Sequence, residues 1–366
     1  IHLISFEKAD DWANVAERVR LARDIASAGI AWHPLRYHKT PSVLATAFDI
    51  MQGIIVGVWL CVRYKIKIIH ARSYIPSVIA LTLKKLFNVK YIFDMRGFWA
   101  DERIDGGLWP KGGRIYRVAK WFEKRFLLSA DSVVSLTNAA VDEMKKFDYL
   151  QGRLPNFKVI TTCTDLNLFD FKKTNINNSS KESFVLGYVG SVGVWYLFDE
   201  TLNCFKLILE KVPSAQLHII NRGGHQYIRE RLIDKRINPN KVMIETSDHA
   251  GVAKAMQSMD VGIFFIKPVY SKMSSAPTKL GEFLGCGIPC LSNTKVGDMA
   301  VILNDEKVGV ALDSFDETSM KLGIEELMTL LNDPEIRERC RSTALKYFSL
   351  DIGVRSYNHI YNRLIS

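Results

Sequence analysis

The chain has 366 residues, 48% of them apolar and 24% charged, with a formal net charge of +10. That length suits two domains of ordinary size, and the apolar share excludes an intrinsically disordered chain. The basic excess points to an acidic partner. Nucleic acid ranks last, because no run of five basic residues occurs and the aromatics are not interleaved with bases. The six cysteines (61, 163, 204, 286, 290, 340) form no CxxC pair and read as reduced thiols in a cytosolic protein. Cys286 and Cys290 have no further Cys or His at metal-finger spacing.

Strand-like runs alternate with helical patterns, which predicts parallel sheets covered by helices. "IHLISF" (1–6) reads as a strand, then a helix over 12–29, then "IAWHPL". The apolar run 43–62 has nearly membrane-spanning length, but Asp49 and Gln52 interrupt it, so a buried or surface-seeking helix is expected. "KIKIIHA", a helix over 76–87, "KYIFDM", a glycine-bearing loop over 96–113, a helix over 114–129, "DSVVSLT" and "KVITTC" follow. Because Ile1 opens inside a strand-like run without an initiator Met, a strand–loop–helix unit on the order of forty residues is expected to be missing before it.

The polar stretch "FKKTNINNSSKES" (171–183) reads as a linker. Beyond it come "FVLGYVG", "QLHIIN", "KVMIET", "VGIFFI" and "IPCLSN", each followed by a helix or loop. The expected domains are 1–170 and 184–349, with the amphipathic helix 350–366 reaching back onto the first.

Ligands of open α/β sheets bind beyond the carboxyl ends of the strands. "GYVGSVGVW" (187–195) offers glycine N–H groups to a phosphate there, but its G-x-x-G-x-x-G spacing is not that of a dinucleotide site. "IINRGGH" places Arg222 at a second strand end. In "SSAPTKLGEFLGCGIPCLSN" (274–293), Pro277 suits a helix start and 288–291 a buried strand. Leu280, Phe283 and Leu284 share an apolar stripe, while Thr278, Gly281 and Gly285 leave the other side bare and Glu282 flanks it. A phosphate near 277–279, with Glu282 accepting from hydroxyls, satisfies these residues; a tight helix crossing with Glu282 solvated satisfies them too. In the first half, His70, Arg72, Asp94 and Arg96 stand at successive strand ends, with Asp94–Arg96 either at the chemistry or as an ion pair. No H-E-x-x-H, D-x-D or G-x-S-x-G occurs.

The 274–293 segment resembles the donor-site segment of the GT-B glycosyltransferases, in particular glycosyltransferase family 4, whose relatives often show S-P-(S/T)-K-x-x-E-(Y/F)-x-x-x-G-x-P-V. "GYVGSVG", "QLHIINRGG" and "MDVGIFFIKP" fall in that family's order. "KIIHARSYIPSVIA" and "YIFDMRGFWADER" look like acceptor-domain segments of its bacterial polysaccharide and lipopolysaccharide members. The resemblance implies an α/β GT-B architecture, two Rossmann-like domains facing a cleft. It assigns Glu282 to the ribose of a nucleotide sugar and Lys279, Gly190 and Ser191 to its diphosphate, with Lys267 close in sequence to that site; Arg222, Ser274 and Thr278 are further donor-side candidates by position, and Asp94 and Arg96 are catalytic candidates by their strand-end position. It also implies transfer with retention to a glycan or lipid-linked acceptor, with no metal or other cofactor. The cysteine usage points to the cytoplasm, and the net charge with the apolar run 43–62 to a peripheral place on the inner, anionic membrane face. Three departures stand out: Ser274 where many members carry an acid, no basic residue after the first glycine loop, and Asp94-Met95-Arg96 where a histidine is common. A sugar-nucleotide epimerase of the same fold and a non-catalytic nucleotide-binding homologue are the rival readings.

Overall fold

The computed structural model describes residues 1–170 and 184–365; the linker expected at 171–183 lies outside the described residues. The first half comprises β1 (His2–Glu7), α1 (Ala9–Ala13), α2 (Val15–Ser27), β2 (Ala31–Arg36), α3 (Ser42–Tyr64), β3 (Ile68–Arg72), α4 (Tyr74–Phe87), β4 (Lys90–Asp94), α5 (Trp99–Asp105), α6 (Arg114–Ser129), β5 (Ser132–Ser135), α7 (Asn138–Lys145) and β6 (Phe157–Val159). The second comprises β7 (Val185–Val189), α8 (Phe198–Lys211), β8 (Gln216–Ile220), α9 (His225–Asp234), β9 (Val242–Glu245), α10 (His249–Met256), β10 (Val261–Ile263), a 3₁₀ turn (Tyr270–Ser274), α11 (Thr278–Gly285), β11 (Cys290–Asn293), α12 (Met299–Asp305), β12 (Gly309–Leu312), α13 (Glu317–Leu331), α14 (Ile336–Phe348) and α15 (Leu350–Ile365).

In the second domain six parallel strands run in the order β12-β11-β10-β7-β8-β9. Helices cover both faces, which is why runs such as Leu186–Val189 and Val261–Ile263 are wholly buried without polar alternation. The chain winds outward in opposite directions from β7 and β10. Their following loops therefore part and leave a crevice at this switch point.

The first domain is split. β3-β4-β5-β6 form one parallel sheet and β1-β2 another. β1 and β3 each keep one edge unpaired among the described residues, yet Phe6 of β1 and Ile69 of β3 pack against the same apolar cluster beneath α3 and α4. α3 is both buried and surface-seeking. Gly53 and Gly57 let α4 approach so closely that a Cβ at either would lie 2.4 or 2.5 Å from Ile79 or Leu83. Leu44, Phe48, Met51, Ile55, Trp59 and Val62 repeat every three or four residues on the exposed side. Asp49, which interrupts the apolar run, is buried and accepts from the backbone N–H of His38 at 3.0 Å, with the imidazole at 2.6 Å.

α15 leaves the second domain and lies on the first, where Ile360 packs with Ile92, Val134 and Ile160. The two chain crossings between domains run side by side, with the Thr164 N–H donating to the Phe348 carbonyl at 2.8 Å.

Candidate active site

α11 starts immediately after Pro277, which stands outside the first turn in an extended conformation. The following strand begins at Cys290 rather than Ile288, because Gly287 turns at φ +72° and Pro289 has no N–H to pair; the Pro289 carbonyl accepts from Gly262 instead. This places the N-terminus of α11 at the crevice, facing the loop after β7.

Lys279 projects into that crevice. Its Nζ lies 4.0 Å from the ring centre of Tyr196, 5.3 Å from Phe264 and 5.5 Å from Tyr188. The side chain is buried, and the amine has no hydrogen-bond partner among the described residues. Burial pulls its pKa down to about 7, against the opposing pull of Glu282. A Cβ on Gly190 would stand 2.7 Å from this amine, and Gly190 holds φ +124°, so only glycine fits between the loop and the lysine. The loop is pinned from the next strand: Asn221 Nδ2 donates to the Gly190 carbonyl at 2.8 Å, and Asn221 Oδ1 accepts from Gly224 N at 2.7 Å. Sequence reasoning missed Asn221; its place as the last residue of "QLHIIN", between two glycine loops, was the available signal. Ser191 is exposed, its carbonyl accepting from Tyr188 Oη at 2.8 Å.

Glu282 lies one turn beyond Lys279, its carboxylate 3.6 Å from His249 Nε2 at the start of α10. Burial raises its pKa, more than His249 and Lys279 lower it. The bare side of α11 is not open to a ligand. A Cβ at Gly281 would meet Thr164 at 2.7 Å and Phe348 at 2.9 Å, and one at Gly285 would meet Leu166 at 2.8 Å and the Phe169 carbonyl at 2.9 Å. The chain's own interdomain crossings make the close approach there, so the helix-crossing alternative describes those glycines while Lys279 and Glu282 face elsewhere. Thr278 is exposed at the helix start; Arg222 and Lys267 are exposed at the ends of β8 and beyond β10.

Across the cleft, a cavity of about 360 Å³ is lined by Arg96, Thr162, Trp195, Tyr196, Lys272, Ser274 and Thr278, among others. Ser274 accepts from Phe98 N at 2.9 Å and donates to the Ser271 carbonyl at 2.7 Å. Its proton goes to the Ser271 carbonyl within its own turn, and its oxygen takes the contact with the first domain, on the wall of the same cavity. Lys272, also missed from sequence, is buried with Glu102 at 2.7 Å and the Trp195 ring centre at 3.8 Å. Asp94 is not on the cavity wall. α15 covers the end of β4, so Asp94 Oδ2 accepts from Tyr357 Oη at 2.9 Å with His70 Nε2 at 3.4 Å, and Oδ1 is buried without a partner. The alternative of an Asp94–Arg96 ion pair is not realised among the described residues. A larger cavity of about 610 Å³ beside α7, α12 and α14 holds none of the expected site residues. Among the described residues no three His, Cys, Asp or Glu side chains converge.

Two family models match the chain: "Glycosyl transferases group 1" over residues 170–347 and "Glycosyl transferase 4-like domain" over residues 11–153. No curated protein sequence matches. Solved structures with a similar fold include a sucrose-phosphate synthase from Thermosynechococcus elongatus (TM-score 0.70, 14% identity, covering 100% of this chain and 98% of that one). A glycosyltransferase from Rickettsia africae is similar at TM-score 0.71 and 13% identity, over 100% of this chain and 98% of that one. The Anabaena protein Alr3699/HepE, solved in complex with UDP-glucose, is similar at TM-score 0.64 and 13% identity over 99% of both chains.

Proposed function

Starting from the chain's membership of the GT-B-fold glycosyltransferases, we propose that it transfers a sugar from a nucleoside diphosphate sugar to a glycan or lipid-linked acceptor. The second domain holds the donor and the first the acceptor. The observation that carries the donor site is Lys279: a buried amine without a hydrogen-bond partner among the described residues, set against a glycine loop whose backbone comes close to it. A diphosphate supplies the missing partner, and UDP is the favoured one because the similar Anabaena protein was solved with UDP-glucose.

In this reading charge grows on the leaving diphosphate as the glycosidic bond breaks. Lys279 and the free first-turn N–H groups of α11 stabilise that charge, at a dry site where such interactions count most. Glu282 accepts hydrogen bonds from the ribose hydroxyls, while Ser191, Thr278, Arg222 and Lys267 line the approach from the exposed side. Asp94 acts as a positioning residue beneath α15, and Arg96 is the first-domain group that reaches the cavity. Retention, and a role in cell-surface polysaccharide assembly, belong to the same proposal on the resemblance of 274–293 and of the first-domain segments. The proposed location is the cytoplasmic face of a membrane, supported by the exposed α3 stripe and the net charge of +10.

Thermal shifts with UDP, ADP and GDP test the donor site, since a ligand at 100 times its Kd stabilises by about 2.7 kcal/mol. UDP is expected to raise Tm in the wild type and much less in Lys279→Ala. Absence of stabilisation by any of the three overturns the reading. Product analysis with UDP-sugars then separates transfer from epimerisation, which releases an altered nucleotide sugar without an acceptor.

A further inference from the structure

Arg96 enters the interdomain cavity from the end of β4 with its backbone at φ +61°, followed by Gly97 at φ +151°. A non-glycine residue is held in that region only where its surroundings over-determine it, and such residues cluster at ligand sites. The half-buried guanidinium has no hydrogen bond or ion pair among the described residues. Asp94, the nearest acid in sequence, is taken by Tyr357 and His70. Glu102, the acid on the cavity wall, is taken by Lys272 at 2.7 Å. Arg72, paired in register with Asp94 at the end of β3, is exposed and likewise without an ion pair, and its charge acts against that of Arg96. Burial and this repulsion together disfavour the charged guanidinium, more than the charge of Asp94, which forms no ion pair with it among the described residues, favours it. Arg96 thus brings an unpaired positive charge to the cavity wall, with the like charge of Arg72 behind it, while Glu102 and Lys272 on the same wall match each other.

We propose that the cavity takes a substrate bearing an anionic group, a carboxylate or a phosphate, near the sugar being transferred, bound by Arg96 with Arg72 behind it. A planar guanidinium offers two parallel donors to either anion, which fixes orientation as well as affinity. The group belongs either to the donor sugar, as in a uronic acid, or to the acceptor, as in a sugar phosphate. The inference rests on the cleft being the transfer site.

The test uses the full chain. In the donor arm, binding of UDP-glucuronate and UDP-glucose is compared by calorimetry, with UDP as reference. In the acceptor arm, glucose 6-phosphate and glucuronate are each compared with glucose on UDP-saturated protein. The wild type is expected to prefer the charged member in one arm by about 10- to 100-fold, the scale of a charge-assisted hydrogen bond. Arg96→Gln is expected to lose that preference, and Arg96→Lys to keep part of it, while UDP affinity stays within a few-fold in both. Arg72→Gln, a surface change that leaves the strained backbone alone, is expected to lower the preference about threefold in the same arm. Equal affinity for charged and neutral members in both arms, or an unchanged preference in Arg96→Gln and Arg72→Gln, overturns the proposal. With UDP still bound, that result leaves the donor site standing; failure of UDP itself to bind removes both.

Discussion

Because burial brings Lys279 to a pKa of about 7 in the free protein, binding of a nucleoside diphosphate should draw a proton from solution. Beside a diphosphate the ammonium form is favoured again, so the pKa returns toward the ordinary lysine range near 10. The sign follows from linkage. A group protonated more fully in the complex than in the free protein makes binding weaken as pH rises through the free pKa. With a free pKa of about 7, roughly half of the free amines carry the proton at pH 7 and about one in a hundred at pH 9, so affinity should fall by more than about tenfold between them, on the order of 2 kcal/mol. The groups facing the amine are Glu282, with His249 behind it, and the rings of Tyr188, Tyr196 and Phe264. Burial raises the pKa of both tyrosines, so they do not compete for this proton. Calorimetry with UDP in two buffers of different ionisation enthalpy reads the proton uptake directly, and it should approach one per site by pH 9. Lys279→Met should bind more weakly at pH 7 and lose the slope, and His249→Gln should keep it. An affinity for UDP that is flat from pH 7 to 9, or a slope that survives in Lys279→Met, refutes the reasoning.

Glu282→Gln should weaken UDP binding by about 1.5–3 kcal/mol with little change in Tm, because it removes charged hydrogen bonds to a ligand and not packing; equal affinity in the folded variant would return Glu282 to a purely structural role. Turnover should persist in EDTA, since Lys279 and amide N–H groups supply the positive charge; loss of activity with rescue by Mg²⁺ or Mn²⁺ would sink that account of the leaving group. The chain should float with anionic vesicles at low salt and release at high salt, at about 1 kcal/mol per basic residue near the surface, and Leu44→Ser with Ile55→Ser should weaken flotation; no flotation of the wild type at low salt rejects membrane docking.

What was legible in the sequence was what is local. Alternating strand and helix patterns, and the glycine and proline punctuation of 274–293, specify α11, β11 and the crevice because each depends on residues a few positions apart. Lys279 and Glu282 follow from that same short stretch. The occupants of the bare face of α11 were not legible, because Thr164 and Phe348 come from two distant crossings that meet only in the fold. Asp94 looked free for the same reason: its partner Tyr357 lies 263 positions later. Lys272 stood outside every motif, and Ser274 was named only as the first residue of 274–293; the contacts of both arise from one domain touching the other.

The return of α15 to the first domain has a consequence for synthesis. Chains emerge from the ribosome in order, and domains generally fold as they emerge. Here Ile360 closes an apolar cluster on the β3-β4-β5-β6 sheet, and Tyr357 satisfies the carboxylate of Asp94, yet both are made after every strand of the second domain. Until then Ile92, Val134 and Ile160 lack the helix that covers them, and Asp94 has lost its hydroxyl donor. The first domain to be translated is therefore the last to be finished, and a nascent chain paused between the two waits with an apolar sheet face open to chaperones or to its neighbours.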